Sequence, residues 1–161
     1  MIAIDKFIAA TKEQELLRDF EPQHLEQLAA VANEVRFARD QIVFHEGERH
    51  GLFYLIEEGS LVLEIVAAGR SVLLQTLHSG DAMGWSSLID ANGNGAHFEA
   101  RALSPVKALA FDGAKLREAC ESDNAFGYRM MKALLSLLTE RLDATRMQVV
   151  DMYAPAGAAR G

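Results

Sequence analysis

The chain has 161 residues, half of them hydrophobic and 24% charged, and its 23 acidic against 16 basic side chains give a net charge of −7. That length suits one domain with a real core, the composition excludes intrinsic disorder, and the charge weighs against a footprint for nucleic acid or anionic membrane. A single cysteine, Cys120, excludes an internal disulfide and a cysteine-built zinc site; no signal-like run and no stretch near ~20 apolar residues is present, so a cytoplasmic protein is expected.

The first thirty residues read as helical. Leu16, Leu17, Phe20, Leu25, Leu28, Ala29 and Val31 recur at three- and four-residue intervals, and Pro22 marks the start of a second helix. After Ala32 the period becomes two. Val35, Phe37, Ile42 and Phe44 lead to the turn His45-Glu46-Gly47-Glu48; Leu52–Ile56 runs into Glu57-Glu58-Gly59-Ser60; Leu61–Val66 and Val72–Leu77 flank Ala68-Gly69-Arg70. Short apolar runs between glycine turns, with no helix between them, indicate an antiparallel sandwich, jelly roll or barrel.

Gly80 to Leu88 interrupts that pattern as a loop feeding a short helix, with Ser86 and Ser87 near its start. Ala91-Asn92-Gly93-Asn94-Gly95 is turn chemistry at an exposed, mobile tip; strands resume at 97–103 and 106–111, and Asp112 caps a helix that buries Leu116. From Asp123 to Met152 a long helix carries two stripes. Tyr128, Leu135, Leu142 and Val149 alternate with Met131, Leu138, Thr145 and Met152 in a heptad seam, while Phe126, Met130, Leu134 and Leu137 form a second stripe. One stripe is expected to pack on the β-domain and the seam, through Met131, Leu135, Leu138, Leu142, Thr145, Val149 and Met152, to meet a second copy. The tail, 154–161, is expected to be disordered.

This order of elements, with Gln41-Ile42-Val43-Phe44-His45-Glu46-Gly47-Glu48, Phe53-Tyr54-Leu55-Ile56-Glu57-Glu58-Gly59 and Gly80-Asp81-Ala82-Met83-Gly84, resembles the cyclic-nucleotide-binding domain of the catabolite-activator (CRP/FNR) family. The resemblance implies a mainly β fold with flanking helices: an antiparallel β-roll or jelly roll of eight strands, followed by a long C-terminal dimerisation helix. It divides a single domain, 1–153, into N-terminal helices at 1–33, a β-roll at 34–112 with a phosphate-binding cassette at 80–102, and C-terminal helices at 113–153.

In such domains the cassette contains a Gly, a Glu for the ribose, a short helix whose amides hold the phosphate, and an Arg followed by Ser or Thr. This sequence keeps Gly84 and the helix start. Trp85 stands at the Glu position and, counting back from Arg101-Ala102, Ala96 stands at the Arg position and His97 at the Ser/Thr position. Charge-assisted hydrogen bonds contribute on the order of 1.5–3 kcal/mol each, so cAMP in the usual pose should lose many orders of magnitude in affinity. The candidate ligand-binding residues are Gly84, Trp85, Ser86, Ser87, His97 and Arg101, with Arg141, Thr145 and Arg146 carried over from the family's long helix. Each has a plainer reading beside it. Trp85 is a lid or stacking platform, or core packing in the nucleotide's place; the serines are anion donors or helix caps; Arg101 is a pocket cation or half of a strand salt bridge.

The five histidines are dispersed without metal-ligand spacing, and no catalytic arrangement is visible, so neither a metal nor enzymatic activity is expected. The chain ends without a winged helix-turn-helix, which points to a stand-alone sensor that does not itself bind DNA or membrane. The expectation is a homodimeric regulatory module that senses a cyclic nucleotide (cAMP or cGMP) or another small anion and signals to a partner protein. The alternatives are a scaffold that has lost its ligand, and a haem or other small-molecule sensor.

Overall fold

A computed structural model describes residues 1–89 and 95–154. The tip at 91–94 and the tail at 155–161 lie outside the described residues. The N-terminal segment contains α1 (Ile4–Thr11), a 3-10 turn at Glu15–Leu17, and α2 (Pro22–Val31), with Pro22 in its first turn. Phe7 anchors α1 and is fully buried; the sequence reading names apolar helical positions only from Leu16 onward.

Eight strands follow: β1 (Ala32–Phe37), β2 (Ile42–Phe44), β3 (Leu52–Glu58), β4 (Leu61–Ala67), β5 (Arg70–Leu77), β6 (Ala82–Met83), β7 (Glu99–Ala102) and β8 (Val106–Asp112). The first strand starts at Ala32, two residues before the expected roll boundary, and His97 and Phe98 fall short of β7. The short helix α3 (Ser86–Ile89) sits between β6 and β7. All pairings are antiparallel, in two sheets ordered β1-β8-β3-β6 and β2-β7-β4-β5. Strand alternation gives each central strand two apolar faces. From the first sheet Tyr54, Ile56, Ala108 and Ala110 point into the roll to meet Phe44, Leu61, Leu63, Ala100 and Ala102 of the second; Phe53, Leu55, Leu109 and Phe111 point to the helices. On the turn between β3 and β4 only glycine fits: Gly59 has φ +89° and a Cβ there would lie 2.2 Å from the Pro105 carbonyl oxygen.

Two helices close the described chain, α4 (Gly113–Ser122) and α5 (Asn124–Tyr153). Asp112 caps the first by accepting from the amides of Ala114 and Lys115, and Asp123 caps the second by accepting from those of Ala125 and Phe126. At 30 residues α5 is about 45 Å long. Its stripe of Phe126, Met130, Leu134 and Leu137 is buried against the helical face of the first sheet, whereas Tyr128, Met131, Leu135, Leu142, Val149 and Met152 are exposed. Leu138 is half-buried, and every residue from Leu142 to Val150 is exposed.

Candidate functional site

The cassette begins where β6 meets β3. Gly84 has φ +79°, and a Cβ on it would lie 2.3 Å from the Leu52 carbonyl oxygen and 3.0 Å from the His50 ring, so glycine alone allows the loop to pass so near that strand. Ser87 turns inward: its hydroxyl and amide both donate to the Gly84 carbonyl, at 2.7 and 3.0 Å. The hydroxyl thus bonds back onto the turn that precedes it and accepts from no helix amide, which is local back-bonding and not a cap. At the far end Ala96 is buried, its amide donating to Glu48 O at 2.9 Å while its carbonyl accepts from Gly47 N at 2.7 Å. The position expected for the family's arginine is thus stapled to the turn between β2 and β3 and carries only a methyl group.

Aromatic rings occupy the space beneath. Phe44 stacks on His50 with ring centres 4.2 Å apart and 13° between planes, and Tyr54 lies 6.3 Å beyond Phe44. Trp85 is half-buried at the rim, packs along the helical-side core and stacks on the exposed ring of His97 at 6.1 Å. It covers the mouth; the interior is held by Phe44, His50 and Tyr54. A cavity of about 10 Å³ lies between Phe44, His50, Trp85, Ala96, His97 and Phe98, the space of about one water. Burial pushes the His50 ring down from its ordinary pKa, against the charge of Glu48, and pushes the Tyr54 hydroxyl up.

Arg101 is a correction to the expected site. It lies opposite Val62 and beside Glu64, on the face of β7 turned away from Ala100 and Ala102, which point into the roll. Its guanidinium makes two bonds to Glu64, at 3.2 and 2.9 Å, with Asp40 at 3.8 Å. Those partners hold the charge outside the roll. Nor does the chain bring Thr145 and Arg146 to the cassette: both are exposed, Thr145 donating to the Arg141 carbonyl at 2.9 Å and Arg146 pairing with Asp143 at 3.5 Å.

Arg141 is different. It follows Leu137 by four residues and so continues the buried stripe of α5, its guanidinium nitrogens Nη1 and Nη2 buried without a hydrogen-bond partner among the described residues. Burial lowers its pKa, with Asp81 opposing.

A second recess lies behind the cassette, between the turn before β3, α3 and the start of α4. Its volume is about 140 Å³, and its walls carry Arg49 and Arg117 together with His50, Ser86 and Ala114. The Arg117 Nη1 donates to the Ser87 carbonyl, so α4 grips the cassette helix directly. Arg49, Arg117 and His50 were not among the expected site residues. They stand far apart in sequence; the only available signal was that Arg49 follows the Glu46-Gly47-Glu48 turn. Among the described residues no group of three or more His, Cys, Asp or Glu gathers as a metal site, and no helix is long and apolar enough to cross a membrane.

Residues 34–123 match the family model described as the cyclic nucleotide-binding domain. The chain is 27% identical over 133 residues to the cAMP-activated global transcriptional regulator Vfr of Pseudomonas aeruginosa, a match that covers 81% of this chain and 60% of that regulator. Among solved structures it resembles a cyclic nucleotide-binding domain from Methylobacillus flagellatus, with TM-score 0.78 and 17% identity over 96% of this chain and 86% of that one. It also resembles the regulatory subunit of a cAMP-independent protein kinase A from Trypanosoma brucei, with TM-score 0.73 and 14% identity over 91% of this chain and 51% of that one.

Proposed function

The chain belongs to the cyclic nucleotide-binding domain family, and on that premise we propose that it is a non-enzymatic regulatory module that senses a small ligand at its cassette and relays occupancy through α4 and α5 to a partner protein. The observation that carries this reading is the grip of Arg117 on the Ser87 carbonyl. It joins the one cassette helix to α4, and α4 in turn meets α5 so closely that a Cβ on Gly127 would lie 2.6 Å from the Cys120 carbonyl oxygen. A displacement of α3 is therefore passed on by packed backbone, which is stiff.

The ligand is not a cyclic nucleotide in the family's usual pose. Trp85 and Ala96 stand where the ribose and phosphate partners are expected, and the cavity that Trp85 and Ala96 line with Phe44, His50 and His97 has about 10 Å³, against roughly 300–1,000 Å³ for ordinary small-molecule pockets. Gly84, Trp85, Ser86 and His97 frame the entrance, and Arg141 is a cation on α5 whose buried guanidinium has Asp81 as its charged neighbour. The exposed seam of Met131, Leu135, Leu142, Val149 and Met152, with half-buried Leu138 and Thr145 on the same line, is where a second copy docks.

A thermal-shift series on the full chain with cAMP, cGMP and small anions tests the sensing half. Stabilisation by a small anion but not by cAMP is expected; strongest stabilisation by cAMP overturns the closed-cassette reading, and no stabilisation by any compound leaves a scaffold. Sedimentation tests the dimer: a dimeric wild type and a folded monomer for Leu138→Asp/Leu142→Asp are expected, and a wild-type monomer overturns it.

A further inference from the structure

We infer that the recess behind the cassette is a binding site for a phosphate-class oxyanion, held between Arg49 and Arg117. This rests on the sensing reading above and names the chemistry of its ligand. The recess, about 140 Å³, is too small for a nucleotide and large enough for a tetrahedral oxyanion or the terminal phosphate of a small metabolite. Two guanidinium groups reach it from different elements, Arg49 from the turn before β3 and half-buried Arg117 from α4. Neither forms an ion pair with a described residue; Arg39, Arg70, Arg129 and Arg141 form none either, and what sets Arg49 and Arg117 apart is that both line one recess. Arg117 spends one Nη on the Ser87 carbonyl and retains the other donors of its fork, the geometry that suits phosphate oxygens.

The remaining walls fit an anion. Ser86 brings a hydroxyl, and Gly95, Gly51 and Ala114 offer no bulk. Glu48 is the one acidic side chain in the lining, and its Oε2 is already committed to the His45 amide at 2.8 Å. The overall charge of −7 acts from the rest of the surface, where it is screened beyond about 8 Å at physiological salt. The positive charge expected at Ala96 is thereby supplied from behind, by Arg49 and by Arg117, which joins α3 to α4. An anion bridging Arg49 and Arg117 would fasten the turn before β3, the cassette and α4 to one another.

The test uses the 161-residue chain at constant ionic strength, with inorganic phosphate, glycerol phosphate and chloride as probes and both calorimetry and thermal shift as readouts. Phosphate should raise the unfolding midpoint by about 5 °C or more at a hundredfold excess over Kd; a parallel response to glycerol phosphate identifies a phosphorylated metabolite as an acceptable source, and a response to phosphate alone identifies the free ion. Ala114→Glu puts a carboxylate into the recess in the first turn of α4, where the helix dipole favours it, so the fold is kept while affinity falls at least tenfold. Arg49→Gln, at an exposed position, should do the same. No response in the wild type, or an equal response in Ala114→Glu and Arg49→Gln, overturns the site. If another compound from the thermal-shift series binds with unchanged affinity in both variants, this inference fails and the sensing reading stands. If phosphate binds as described but amide exchange in α5 does not change, the site stands and the relay fails.

Discussion

The two faces of the β1-β8-β3-β6 sheet are packed in different ways. Toward the helices, its own strands supply large side chains, Phe53, Leu55, Leu109 and Phe111, which meet Phe7, Leu28, Phe126 and Met130; Phe111 touches Phe7 edge-on at 6.3 Å and lies 5.8 Å from Phe53. Toward the roll, β3 and β4 supply Tyr54, Ile56, Leu61 and Leu63, but β8 supplies Ala108 and Ala110 and the facing β7 supplies Ala100 and Ala102, so a hollow is left over these alanines. Rings imported from β2 and the turn before β3, Phe44 and His50, fill it. The hollow expected of a ligand-binding roll is therefore still written in the strand alanines, and its closure is the work of a few aromatic side chains.

The largest effect expected from breaking this contrast is on the helical face. Phe111→Ala should cost about 3–5 kcal/mol, read as a lower urea midpoint, because close-packed neighbours on three sides cannot collapse into the space. Phe44→Ala removes the same ring from the roll and should cost clearly less, since the cavity it leaves adjoins the cassette mouth and admits water. Equal losses would mean that the roll is as rigidly packed as the helical core.

A smaller effect tests whether the hollow is full. Ala100→Leu adds bulk at a fully buried position facing the stacked rings and should cost about 1–3 kcal/mol by overpacking. A neutral result would show that open space remains and that a ligand of ordinary size can enter. Trp85→Ala should cost under about 2 kcal/mol, because a half-buried ring at the rim loses only part of its transfer energy; a loss matching Phe44→Ala would make Trp85 a core filler instead of a cover.

Much of this was legible in the residues. Period-two runs between glycine turns located seven of the strands, and the spacing of Phe126, Met130, Leu134 and Leu137 separated the buried stripe of α5 from the exposed one. Two-residue β6 was not, because Ala82 and Met83 are a strand only through their pairing with Leu55 and Tyr54, a tertiary fact. Arg101 was misplaced although alternation carried the answer: between Ala100 and Ala102, both inward, it has to point outward. Arg49 and Arg117 are 68 positions apart in the chain, and no local pattern announces that the turn before β3 and the start of α4 share a wall. The buried position of Arg141 could have been read from its four-residue step beyond Leu137.

The smallest expected effect is also the most selective probe of the roll, through His50. Its ring is half-buried and stacked on Phe44, and burial lowers its pKa from the ordinary 6.5 more than the Glu48 charge raises it. A histidine whose folded pKa is depressed binds its proton more readily when unfolded. Its contribution to stability is thus complete above about 6.5 and is lost as pH falls from there toward the folded value. Thermal midpoints measured between pH 7.5 and pH 5 should decline, and His50→Phe, which keeps a ring on Phe44 but cannot take a proton, should flatten that decline. Fluorescence of Trp85, the one tryptophan in the chain, should shift over the same interval in the wild type and shift less in the variant, because Trp85 and His50 line one cavity of the cassette and protonation of His50 strains its stack on Phe44. Identical pH profiles for the two proteins would place the acid-sensitive group elsewhere and remove His50 from the machinery that keeps the roll shut.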